Sequence, residues 1–267
     1  MEEGQKRTLT QTPIFDCYGA SLDSANVEMK EPGEKIIDES TPEGPIEVVS
    51  VADWLALLGS AATDVPPNGQ CGWNAWYAAI TNLWGDVLVL NEEETLLSSS
   101  YKTRAMTFML ARLQWAAELD EFDVDDLYKA LTNTSIDSCS MDQKLLAIAS
   151  ALSRVRNYSV NCEAPLSDWV RTVQLQAMAT YLREPLFVID ELETGQTFVH
   201  CHAYAKAKPT HGGNYEQSKT FLLDKASAQS LFSAMRAASV PPTVLILRHQ
   251  ATGNHFNAVT YPPERYE

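Results

Sequence analysis

Apolar residues are thinly spread over positions 1 to 46 and dense from Val48 onward. The stretch MKEPGEKIIDESTPEGP, residues 29 to 45, is rich in Glu, Lys, Pro and Gly and poor in large apolar side chains. Such a segment cannot bury enough surface to offset the entropy of ordering it. Residues 1–46 therefore read as a flexible acidic N-terminal arm, and residues 47–267 as one folded domain. The sharper alternative for the arm is a strap docked on the domain through Ile14, Phe15 and Tyr18.

Within the domain the hydrophobic period changes part-way along. Val51 to Ala62 reads as a short helix, broken by the punctuated stretch TDVPPNGQ. A second helix opens at Cys71 and runs to a stop at Gly85. Glu93 to Leu119, Val124 to Leu131 and Met141 to Val155 repeat their apolar residues at three and four, as amphipathic helices do. Ser167 to Leu182 is another, with Ser167 or Asp168 as its cap. The pattern then shortens. Pro185 to Asp190, Thr197 to Tyr204, Lys219 to Leu223, Val244 to His249 and His255 to Thr260 read as strands, with a helix over Ala226 to Ala238. Helices first and strands later indicate an α+β fold, a small and mostly antiparallel sheet packed between helical regions.

Composition narrows the function classes. The chain has 267 residues, is 45% hydrophobic and carries a formal charge of -15. Eleven acidic against four basic residues fall before Val48, so about half of that charge belongs to the arm. An acidic chain repels nucleic acid and anionic membrane surfaces, so neither is expected as a partner. The five cysteines are odd in number and widely spaced, with no CxxC pair, which argues against a disulfide framework. No apolar run approaches the roughly 20 residues that span a bilayer, and no secretory h-region is seen. A soluble monomer in the cytoplasm or nucleus is the expectation.

Cys71 is the cysteine with a chemical setting. It follows the loop PPNGQ and opens a predicted helix, where unpaired N–H groups and a partial positive charge favour an anionic nucleophile. The loop before it can aim backbone N–H groups at a developing oxyanion. Of the five histidines, His255 starts a predicted strand just after a turn, a rigid place that faces a cleft. Asn257 lies two residues on and shares its face. Cys71, His255 and Asn257 thus offer nucleophile, general base and orienting group. If the orienting role lies elsewhere, Asn254 or the acid Asp64 is the candidate. His200 and His202 share a strand face and invite a metal, but with only His211 nearby the ligand set falls short of a closed zinc site. They read as polar residues on an exposed strand face, and no metal or cofactor is expected. Phosphate-cradling glycine motifs, HExxH and GxSxG in its strand-turn-helix setting are all missing.

Three blocks of residues resemble the ovarian-tumour (OTU) family of cysteine peptidases. The first is Asn68-Gly69-Gln70-Cys71-Gly72-Trp73. The second runs from Trp169 through Gln174-Leu175 to Met178-Ala179 and on to the strand ending at Asp190. The third is His255-Phe256-Asn257-Ala258-Val259. They stand in the family's order, over about residues 64 to 261. The chain departs from the family pattern where Asn68 replaces an Asp, Val170 a Gly and Gln174 a Glu.

The resemblance implies a papain-like OTU fold and a thiol-dependent deubiquitinase. Cys71 would attack the isopeptide carbonyl after the C-terminal glycine of ubiquitin, with His255 as general base and acid and Asn257 holding its ring. Backbone N–H groups of Asn68, Gly69 and Gln70 would hold the oxyanion. Trp73 and Phe256 would wall a narrow channel for the glycine pair, and an acidic groove would suit the basic ubiquitin tail. The implied partner is ubiquitin or polyubiquitin. Two alternatives remain: a catalytically silent ubiquitin-binding module, and a papain-like protease acting on ubiquitin-like modifiers or other peptides.

Overall fold

The computed structural model describes residues 50–133, 139–207, 215–250 and 253–263. The arm, including Ile14, Phe15 and Tyr18, and His211 lie outside the described residues.

Helix α1 spans Val51–Leu58 and starts at a capping box between Ser50 and Asp53. It ends four residues before the expected Ala62, because Gly59 adopts the left-handed conformation (φ 62°) that closes a helix. The next residues, Ala61–Thr63, form strand β1. Helix α2, Cys71–Thr81, also stops early, at Asn82 (φ 50°) and not at Gly85. The Asn82 side chain exchanges hydrogen bonds with the Tyr261 backbone, donating at 3.0 Å and accepting at 2.7 Å. That tie makes residue 82 the stop.

Three helices follow close to their predicted bounds: α3 (Glu92–Glu118), α4 (Val124–Thr132) and α5 (Met141–Asn157). The sixth, α6, covers Thr172–Leu182, five residues later than expected. Asp168 caps nothing there. Its carboxylate is buried in an ion pair with Arg154 of α5, at 2.8 and 3.3 Å, and Leu166–Asp168 turns as a single 3-10 segment. Helix α6 is capped instead by Gln174, whose Oε1 accepts the Arg171 N–H at 2.9 Å.

Strands β2 (Leu186–Glu191), β3 (Thr197–Ala207) and β4 (Tyr215–Leu223) precede α7 (Lys225–Ala237), which Asp224 caps. Strands β5 (Thr243–Gln250) and β6 (Gly253–Thr260) close the chain. The six strands make one sheet in the order β1-β6-β5-β2-β3-β4, and the β2–β5 pair alone is parallel. Residues of α2 to α6 pack on one face with Leu186, Val188 and Leu245. Residues of α1 and α7 pack on the other with Phe187, Ile189 and Ile246. The fold is α+β, a mostly antiparallel sheet between helical layers.

Candidate active site

Strand register places the histidine. His255 faces Arg248 and Asn257 faces Ile246 across the β5–β6 pair, so the two side chains emerge on one face. Strand β1 runs along the other edge of β6, with Thr63 opposite Ala258. The next residue, Asp64, continues past the end of that pairing, and its backbone is held from the far side by residues 86 to 88. Asp64 N–H donates to Asp86 O at 2.9 Å, and Leu88 N–H donates to Asp64 O at 2.7 Å.

Asp64 is thereby fixed in front of both site residues of β6. Its Oδ1 lies 2.8 Å from His255 Nε2 and accepts from Asn257 Nδ2 at 2.6 Å. The Val65 N–H donates to the same oxygen at 2.9 Å. This corrects one expectation: Asn257 grips the carboxylate, and the carboxylate meets the imidazole. Burial pushes the Asp64 carboxyl up, but the bonds from His255, Val65 and Asn257 outweigh it and the pKa falls below its usual value.

The Cys71 side chain also acts on the His255 imidazole. Cys71 is the largest influence on the imidazole. With the Asp64 bond it overcomes burial and raises the His255 pKa above its ordinary value. Cys71 opens α2 as its first helical residue and is buried.

The loop in front of Cys71 is tied at several points. Asn68 Nδ2 donates to Val160 O at 2.9 Å, and its Oδ1 accepts the Gln70 N–H at 3.0 Å. Asn68 O accepts from Ala164 N–H at 2.9 Å. An aspartate could make only the second of the two side-chain bonds, because it has no donor for the Val160 carbonyl. Gly69 has a φ of 75°, and a Cβ there would come 2.6 Å from Trp169 Nε1. The Asn68 N–H is bonded to Pro66 O at 2.9 Å. The Asn68 and Gln70 amides are therefore committed within the loop, against the expectation that they hold an oxyanion.

Trp169 joins this loop to the histidine strand. A Cβ on Gly253, at the start of β6, would come 2.7 Å from the far edge of the same indole. The Trp169 Nε1 donates to Ala164 O at 3.1 Å. The Arg154–Asp168 pair, with Asp168 buried, anchors the residue just before it.

A cleft of about 330 Å³ opens beside Cys71, lined by Trp169, Val170, Arg171, Gly253, Asn254 and Phe256 among others. Phe256 is among the residues lining it. Trp73 is not: it is 1% exposed and packs edge-on against Trp76 in the core. Two residues along a helix turn the side chain by about 200°, so Trp73 points away from the face Cys71 presents. Arg171 is the charged side chain among the described residues lining the cleft, so the acidity of the chain is not gathered there.

The other histidines lie elsewhere. His202 is not on an exposed face: it is buried beneath α6, its Nδ1 2.9 Å from Thr220 Oγ1, and burial lowers its pKa to about 3. His200 and His249 flank Asp190 at 3.5 and 2.7 Å. Among the described residues no cluster of three or more His, Cys, Asp or Glu side chains could hold a metal ion. Likewise no described helix is long and apolar enough to cross a membrane.

No protein-family model matches the chain, and no curated protein matches it. Among solved structures it is similar to the OTU domain of OTUD1, at 14% identity and a TM-score of 0.35, over 77% of this chain and 89% of that one. A likeness that distant carries no argument about chemistry, so the OTU resemblance stands on its three blocks of residues.

Asp64 is the site residue that sequence reasoning ranked too low. It sits 191 positions from His255 in a stretch that reads as a loop. Its signal was position, four residues before Asn68 and next to a proline-bounded turn, and that is weak without the β1–β6 register.

Proposed function

We propose that this chain is a cysteine-dependent deubiquitinase of OTU type, with Cys71 as nucleophile, His255 as general base and acid, and Asp64, braced by Asn257, as the group that orients the imidazole. The observation that carries this reading is the His255 ring, 2.8 Å from Asp64 through Nε2 and acted on most strongly by the Cys71 side chain, which raises its pKa. Such a relay fixes the tautomer and aims the basic nitrogen at the thiol.

In the first half-reaction Cys71 Sγ bonds to the isopeptide carbonyl carbon, and the proton it gives up resides on His255. The resulting oxyanion is met by backbone amides of the nucleophile loop; with those of Asn68 and Gln70 committed, the amides of Gly69 and Cys71 are the candidates. Collapse breaks the C–N bond as His255 returns its proton to the departing lysine amine. Water then adds to the thioester, its proton passing to His255. The C–S bond breaks, freeing the carboxylate and regenerating Cys71.

Ubiquitin as substrate is supported by the OTU-like blocks around Cys71, Trp169 and His255. The channel for its terminal glycines is assigned to the cleft between Phe256, Trp169 and Val170. Ubiquitin bearing a C-terminal electrophile tests both halves of the reading. Covalent capture by the wild-type chain, lost in Cys71→Ala, is the expected result. Capture of a ubiquitin-like modifier but not of ubiquitin overturns the substrate. Reversible binding without capture of either overturns the chemistry in favour of a silent binding module.

A further inference from the structure

Lys102 is 0% exposed at the centre of α3, and no carboxylate forms an ion pair with it among the described residues. Its Nζ donates to Gln70 Oε1 at 2.8 Å and to Tyr158 O at 3.1 Å, and lies 5.8 Å from the Tyr158 ring centre. Gln70 is the residue immediately before Cys71. Its carbonyl accepts the first amides of α2, from Trp73 and Asn74, both at 3.0 Å. Its own N–H is bound by Asn68, and the residue is 1% exposed.

A buried ammonium without a counter-charge costs stability, and an apolar side chain of similar volume is commonly neutral or stabilising in such a place. Lys102 is therefore poorly explained as a stabilising element of the core. Its contacts all converge on the segments that hold the nucleophile: Gln70 on one side, and on the other residues 158 to 164, which also bind Asn68.

We infer that Lys102 is a positioning residue for the Cys71 nucleophile, acting through the Gln70 side chain to hold the loop that carries it. This rests on the hydrolase reading above. The ionisable groups that bear on it are Cys162 and Asp168, both of which favour its charged form, and Tyr158; Asp168 is itself bound to Arg154. Loss of the Lys102 contact frees the side chain of the helix-capping residue next to the thiol, and a small misplacement there slows the bond-forming step without changing how substrate docks.

The test uses a fluorogenic amide of ubiquitin with the Lys102→Met, Gln70→Leu and double variants of the full chain. Lys102→Met is expected to lower kcat by roughly tenfold or more with KM unchanged and a melting temperature at or above wild type. Gln70→Leu should show the same split, and the double variant should be no slower than the worse single variant, since both cut one contact. Wild-type kcat in Lys102→Met overturns the inference, as does a double variant whose losses multiply. A loss of kcat that follows a fall in melting temperature assigns Lys102 to the core and overturns it too. If Lys102→Met does not fold, Gln70→Leu decides: a wild-type kcat there removes the route through Gln70. Turnover by wild type with any of these failures leaves the hydrolase reading standing; no turnover and no probe capture by wild type defeats both.

Discussion

Asp64 and His255 stand 191 residues apart in sequence and 2.8 Å apart in space, carboxylate to Nε2. The contact makes an acid, and not the amide two residues along the strand, the partner of the imidazole. Asp64→Asn should therefore slow turnover more than Asn257→Ala does, and His255→Ala should cost the full acid–base contribution, on the order of 10²–10⁴. Steady-state rates for the three variants check the order. An Asn257→Ala variant slower than Asp64→Asn would return the orienting role to the amide.

The same contact has a pH signature. The His255 pKa is raised first by Cys71 and then by the bond to Asp64, so the imidazolium persists above the pH at which a free histidine loses its proton. Removing Asp64 removes the lesser of the two influences. The alkaline limb of the rate profile should move to lower pH in Asp64→Asn without collapsing to that of an isolated histidine. A limb that stays at its wild-type position would contradict this.

Asn68 answers for itself through its two bonds. Asn68→Asp keeps an acceptor for the Gln70 N–H but sets a carboxylate oxygen against the Val160 carbonyl. The expected loss is about 1–3 kcal/mol, read from chemical denaturation. Activity should fall with it, because the loop that leads to Cys71 is what loosens.

Gly253→Ala should damage the site through Trp169. The new methyl would stand 2.7 Å from the indole, and the φ of 129° already disfavours any side chain there. Trp169→Ala removes the clash and also the brace between the loop and β6. Lower kcat in both single variants, with the double variant losing less than the sum of the two, would mark the indole as the shared element.

Stability should itself depend on pH through Lys102. Burial lowers its pKa from 10.5 to about 8, so between those values the unfolded chain holds a proton that the folded one has released. Stability then rises as the pH climbs from about 8 towards 10.5, by roughly 3 kcal/mol at most, and the full burden is carried below pH 8. Lys102→Met should flatten that rise when denaturation is followed across the window.

Local signals made much of the site legible. The break at PPNGQ followed by an apolar helix put Cys71 at a helix start, and alternation put His255 and Asn257 on one strand face. Both are short-range properties, fixed by the 3.6-residue and two-residue periods of the backbone. The α+β class followed from the same change of period. The errors have physical causes as well. Helix ends were misplaced where a tertiary contact outranked a propensity: Asn82 is held by Tyr261, and Asp168 is taken by Arg154. Trp73 was assigned to the channel through the family resemblance, although the helix turns it into the core.

By itself the sequence determined the elements, their amphipathic faces, which cysteine opens a helix, and which histidine and asparagine share a strand face. Tertiary structure alone decided that Asp64 joins them, that Trp169 locks the loop to β6, and that Lys102 lies beneath Gln70. Those relationships depend on the register of β1 against β6 and on how α3 and residues 158 to 164 pack around the loop. Register and packing sum many weak contacts between distant segments, and no local pattern of residues carries their total.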